Sequence, residues 1–396
     1  MKNFFFYDPK LLVYGFLIVF FASFGQTFFI SLFNNDIKNI YSLTDGQFGL
    51  VYALATTLSS LFLINFAKLI DYIDLRIYSF LVTSGLFFAC LVVYFLPSNI
   101  FYLFIIIFFL RFFGQGAMSH AGLTTMARYF GKDRGKAISF GNLGGMIGVM
   151  FLPIIIVYLN NFFNFKQIWL ICSLSLLLFL PILYLILSNH TVRQKRFTNS
   201  ISENSKKWKT IELIKNKYFL IYLPITLAFP FIATGLVFHQ IFIFTQKGWT
   251  IEMLGTGFIF LGGFSIVGLI VGGPLIDILN PRKAILFILL PIFLGIIILV
   301  LFDNFLFLII YMSLYGFNLG ISVPFAGSLW AEIFGVKSLG TVKALFHAIS
   351  VLASALSPVV FGLIIDSGFG VGMISIISLS IIIIVTILPI LFDDNE

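Results

Sequence analysis

Ala67-Lys68-Leu69-Ile70-Asp71-Tyr72-Ile73-Asp74-Leu75-Arg76 joins one apolar segment to the next, and Gly273-Pro274-Leu275-Ile276-Asp277-Ile278-Leu279-Asn280-Pro281-Arg282 does the same about two hundred residues later. Both have the form small-x-Leu-x-Asp-x4-Arg. Each follows the second apolar segment of its half of the chain. A charged hairpin at matching places in two apolar halves signals internal duplication, and duplication in a membrane protein points to a transporter.

Composition makes the membrane assignment independently. The chain has 396 residues, of which 60% are hydrophobic and 10% charged, and its mean hydropathy is +1.08. A soluble domain needs more charge than that to face water. The length leaves room for about a dozen spans of roughly 20 residues with short loops, and for no soluble domain beside them. Apolar runs bounded by Gly, Pro, Asn or charge predict spans at 11–33, 47–70, 76–96, 100–127, 136–159, 168–187, 218–245, 252–276, 283–302, 304–330, 340–365 and 371–391. The expected fold class is an all-α membrane protein of about 12 transmembrane helices, in two six-helix pseudo-repeats around a central cavity. The domains read as 1–187, a cytoplasmic linker at 188–217, and 218–396. The first apolar stretch is long enough to span and is followed by no small-x-small cleavage site, so it does not read as a removed signal. Cys90 and Cys172 both fall inside apolar spans and read as packing residues.

The formal charge of +8 invites a nucleic-acid reading, which its placement argues against. With the N-terminus in the cytoplasm, the outer loops hold only Lys38, Lys166 and Lys247, Arg111 lies inside a span, and about twenty of the 24 Lys and Arg fall on inner segments. That asymmetry predicts a multi-pass protein of the inner (plasma) membrane with both termini cytoplasmic. It assigns the basic balance to topology and to attraction for anionic lipid. The expected partners are a small, anionic substrate molecule and the bilayer, with no nucleic acid, and the chain is expected to be a monomer. No metal cluster or cofactor motif is evident, so no cofactor is expected.

A second internal match supports the first. Met126-Ala127-Arg128-Tyr129-Phe130-Gly131, then Gly135, leads into the fifth span, and Trp330-Ala331-Glu332-Ile333-Phe334-Gly335, then Gly340, leads into the eleventh, at an offset of 204–205 residues. With the paired hairpins, Leu110-Arg111-Phe112-Phe113-Gly114-Gln115-Gly116 of the fourth span and Gly141-Asn142-Leu143-Gly144-Gly145-Met146-Ile147-Gly148 of the fifth, the chain resembles the major facilitator superfamily over nearly its whole length. The first hairpin departs from the family pattern at Ala67, Asp74 and Leu75. The loop Arg128–Ala137 and the glycine-rich fifth span resemble the monocarboxylate and oxalate–formate carrier branches. The resemblance implies alternating access and a cavity lined by the first, fourth, seventh and tenth helices. It also implies that Asp71 and Asp277 each bond a neighbouring helix N-terminus and an arginine across the cytoplasmic face. Asp71, Arg76, Arg128, Asp277, Arg282 and Lys343 are therefore the candidate gating residues.

Arg111 is the charge that must be explained. It lies about eleven residues into the fourth span, where an arginine costs about 2.5–3.5 kcal/mol even on the lower scale. No Asp or Glu lies deep in any span. A deep guanidinium with no carboxylate at its depth suits an anionic substrate, which it can grip through two parallel bonds. On an α-helical period, Gln115 shares its face, continued by Met118 and Gly122. Gln26 of the first span should meet Arg111, and Tyr315, with Asn318 nearby, is its repeat-related position. Lys343, His347, Ser350 and Ser354 make one face of the eleventh span, and Asn142 matches His347 through the repeat. His239, beside Gln240 near the outer end of the seventh span, can meet substrate, carry a proton or simply pack. The candidate substrate-binding residues are thus Arg111, Gln26, Gln115, Asn142, His239, Tyr315, Asn318 and His347. The reading is a secondary carrier of a small organic anion. Alternatives are efflux of amphipathic compounds and, from another class, a membrane sensor or intramembrane enzyme. Four scattered histidines supply no catalytic constellation, and no phosphate-binding loop is present.

Overall fold

The computed structural model describes residues 2–95, 99–130, 133–188, 210–335 and 339–392. The greater part of the expected linker, 189–209, and the side chains of Asp277 and Lys343 lie outside the described residues. Helices account for nearly all of what is described, and no strand occurs among the described residues. Among the described residues eleven helices are long and apolar enough to cross a membrane, or twelve spans if one bent pair is counted as a span. A backbone that satisfies its own hydrogen bonds within each segment is what a lipid interior demands.

Most span boundaries follow from the chemistry of their ends. Asp74 caps the third span, Leu75–Tyr94, accepting from Arg76 N at 2.8 Å. Asn164 and Gln167 form a capping box at the start of the sixth, Phe165–Ile186. Asn216, Thr250 and Asn304 cap the seventh, eighth and tenth spans in the same way. Each side-chain oxygen satisfies an N–H that the first helical turn leaves without a partner.

The first span differs from its expected form. It is not one helix over 11–33 but a pair, Pro9–Gly25 and Thr27–Tyr41, bent by 46°. Ala22–Gly25 tightens to a 3-10 turn, and Gln26 is extended at φ −82°, ψ 154°. The seventh span also breaks. Lys217–Phe238 ends at His239, and a separate short helix, Gln240–Gln246, follows.

The chain divides into two compact units, 1–43 with 54–203 and 44–53 with 204–396. The division near the middle falls inside the expected linker. The short piece 44–53, the first turns of the second span, belongs to the second unit, which the hydropathy pattern does not reveal. In the first unit, the first span packs along the fifth, and the third along the sixth. In the second unit, the eighth span packs along the tenth and the seventh along the eleventh. The glycines of the fifth span serve the first of these pairings. Gly144 lies against the backbone of Phe16, and Gly148 against Ser23.

Candidate functional site

Arg111 is placed by two local departures from α-helical geometry. The fourth span winds as a π-helix from Leu110 to Met118, a form that concentrates at functional sites. The first span is broken where the guanidinium arrives. Phe29 N, which in an unbroken helix would bond Gly25 O, bonds Gln26 O instead. Arg111 Nη1 takes up the freed Gly25 carbonyl at 3.0 Å and the Thr27 hydroxyl at 3.3 Å, and Nε donates to Thr56 Oγ1 at 3.2 Å. The residue is 2% exposed. Two glycines permit the approach, because a Cβ on Gly114 would come within 2.6 Å of Gly25 Cα.

The guanidinium therefore bonds the residues on either side of Gln26. The Gln26 amide is half-buried and has no hydrogen-bond partner among the described residues. The same holds for Gln115 and Asn142, both half-buried. The expected α-helical stripe Arg111–Gln115–Met118–Gly122 does not form as such. A π-turn closes i→i+5 bonds, so the residue four along no longer sits beneath the first. Met118 is buried at 0% exposure, and Gly122 packs on Val19 and Ile18.

In the second unit Tyr315 mirrors Arg111. Its hydroxyl donates to Ala233 O of the seventh span at 3.0 Å, as Arg111 donates to a first-span carbonyl. Asn318 is turned away from this position. Its oxygen accepts Ile292 N at 3.2 Å and its amide donates to Ser322 Oγ at 3.3 Å, so it joins the tenth span to the restart of the ninth after Pro291. His239 is buried, with Nε2 2.9 Å from Pro358 O and Nδ1 3.4 Å from Asp45 Oδ1. His347 is exposed, Ser350 is half-buried, and Ser354 is buried with its hydroxyl donating to Val351 O. The polar face of the eleventh span therefore runs from an open end into packed protein.

The charged hairpins pair within their own units. Within the first, Asp71 and Arg76 do not meet. Arg128 pairs with Asp71 and donates to Ile70 O at 3.2 Å, while Arg76 pairs with its helix-capping neighbour Asp74 at 3.0 Å. In the second unit Arg282 pairs with Glu332 at 3.4 Å, with its guanidinium 5.3 Å from the Tyr218 ring centre. Glu332 was absent from the sequence candidates, although the repeat aligns it with Arg128. One position of the repeat thus bonds its own hairpin in both units with opposite sign: a cation to the hairpin aspartate in one, an anion to the hairpin arginine in the other.

A separate cavity of 750 Å³ runs along Arg76, Phe80, Phe88, Phe113 and Tyr184 in the first unit. Its walls are mostly apolar and several of its residues are exposed, as a groove facing lipid would be.

Apolar spans in two repeated units, each with a polar group reaching a broken helix, define a multi-pass membrane carrier. The family model of the Major Facilitator Superfamily matches residues 15–358 and 240–396, and the chain belongs to that superfamily. Two crystal structures of a bacterial homolog of the human lysosomal transporter Spinster share the fold. The inward-facing, unoccupied form is 16% identical with a TM-score of 0.65, covering 97% of this chain and 95% of its own. The inward-facing, occupied form is 15% identical with a TM-score of 0.69, covering 100% and 98%. No curated protein matches the sequence significantly.

Proposed function

We propose that this transporter is a secondary carrier that moves a small organic anion, carboxylate in type, by alternating access. Arg111 is the group that grips the anion. The observation that carries this reading is a buried guanidinium held in a helix break by a carbonyl and two hydroxyls, in a sequence with no Asp or Glu over 9–35, 46–70 or 75–132. Hydroxyl partners are exchangeable. A carboxylate entering the break can take over the donors now given to Thr27 and Thr56, gaining charge-assisted bonds that the hydroxyls do not provide. The side-chain amides of Gln26, Gln115 and Asn142 are free to bond its remaining oxygens. The Arg128–Asp71 and Arg282–Glu332 pairs, with Arg76, Asp277 and Lys343, are the gating charges in this reading. The cation distribution supports placing their end of the spans in the cytoplasm.

A thermal-shift screen of purified protein against organic acids, sugars, amino acids and amphipathic drugs tests the substrate class. The expected result is stabilisation by carboxylates alone, with both the shift and uptake into proteoliposomes lost in a folded Arg111→Ala variant. Stabilisation confined to neutral or cationic compounds, or undiminished uptake by Arg111→Ala, would overturn the proposal.

A further inference from the structure

The second span starts against residues of the seventh and eleventh spans. Asp366, at the end of the eleventh, accepts from Thr44 Oγ1 at 2.6 Å, Asp45 N at 3.1 Å and Gly46 N at 3.0 Å. It thereby satisfies N–H groups orphaned at the helix start and places a carboxylate at the positive end of the helix dipole. One and two turns on, the Phe48 and Tyr52 rings lie 5.1 Å and 4.7 Å from the Phe238 ring. The neighbouring residue is His239, 1% exposed.

The imidazole of His239 has one proton too few for its surroundings. The Pro358 carbonyl, 2.9 Å from Nε2, can only accept, so Nε2 carries a hydrogen. In the neutral ring Nδ1 then carries a lone pair. That lone pair faces the Asp45 carboxylate at 3.4 Å, and Nδ1 has no other hydrogen-bond partner. A buried acceptor and a half-buried carboxylate turned on each other repel, and a single proton between them converts the repulsion into attraction. The ionisable groups that these elements bring to the site are Asp45 and Tyr52 from the second span and Asp366 from the eleventh. Asp366 is occupied by the backbone of the second span.

We infer that Asp45 and His239 form a proton-binding site. With the proton shared between imidazole and carboxylate, the first turns of the second span are docked on the seventh and eleventh; without it, they are released. Where the released imidazole is neutral, the docked form binds one proton more than the released form. Docking is therefore favoured as pH falls and lost as pH rises, by at most tenfold in its equilibrium constant per pH unit. The site is separate from Arg111 and does not require the substrate to be an anion. Its consequence for transport, a conformational step driven by protons, rests on the carrier reading.

The test is labelling of Phe48→Cys in the full chain in proteoliposomes by a membrane-impermeant maleimide. Cys90 and Cys172 are buried and do not compete. In the same background Asp45→Asn supplies an amide that donates to neutral Nδ1, so docking no longer needs a proton. The ratio of the two labelling rates cancels the titration of the thiol itself. Above about pH 6.5, the ordinary value of a solvated histidine, the expected ratio rises by up to tenfold per unit. His239→Gln, which keeps a donor for Pro358 but cannot titrate, is expected to remove the pH dependence as well, and serves if Asp45→Asn does not fold. Asp366→Asn is expected to raise labelling at every pH with the slope unchanged. A pH-independent ratio would overturn the inference. So would Asp366→Asn abolishing the slope, since that would put the proton on Asp366.

Discussion

At the scale of single residues, Arg111 and its position in the first unit govern the chemistry. The sequence makes its charge conspicuous because nothing else in the fourth span is ionised before Arg128. Its planar fork reaches two residues of the first span and one of the second at once. A lysine ammonium on a flexible stem cannot reproduce that geometry. Arg111→Lys is therefore expected to keep the fold and lose transport. Each charge-assisted bond lost is worth about 1.5–3 kcal/mol, so initial uptake in proteoliposomes should fall at least about tenfold. Uptake within twofold of the parent would show that charge alone suffices there. Candidate residues divided according to their local geometry. Arg111 and Tyr315 were legible as a repeat-related pair and both reach carbonyls of a broken span. The role of Asn318 was not legible, because the N–H it bonds lies 26 residues away across a break beside Pro291 that hydropathy does not mark.

At the scale of elements, the decisive features are departures from the regular helix. The break at Gln26 and the π-winding of the fourth span are two sides of one contact, in which Gly25 and Gly114 let backbones meet. Gly114→Val would force those backbones apart. Overpacking of this kind costs about 1–3 kcal/mol and would move Arg111 off Gly25. The expected outcome is a lowered melting temperature together with lost uptake, measured on the detergent-purified variant and in proteoliposomes. A variant that melts like the parent would show the contact to be slack. Hydropathy located the spans because apolar length is a local property. It missed the 46° bend of the first span, since Gln26 and its polar neighbours are flanked by apolar residues that keep 11–33 reading as one run. Only the competition between Gln26 O and Gly25 O for Phe29 N reveals the break.

At the scale of the whole molecule, duplication organises the charges. Each unit ties its hairpin to the end of a later helix, with the sign of the pair reversed between Arg128–Asp71 and Arg282–Glu332. The excess of cations on the loops next to these hairpins predicts their side of the membrane. A cysteine replacing Asn199 in the 189–209 segment should react with an impermeant reagent in inside-out vesicles and not in intact cells. Labelling in intact cells would reverse the topology. Membrane residence, the number of spans, the duplication and the superfamily were all determined by the sequence itself. They rest on composition, on the length of apolar runs and on the spacing of a few charged residues, all of which are local or periodic along the chain. The tertiary structure alone decided which groups meet. Arg111 finds a carbonyl 86 residues away, His239 another at 119, and Asp366 a hydroxyl at 322. No periodicity encodes such pairings, because they arise from which helices pack together and from which polar groups that packing brings within bonding distance.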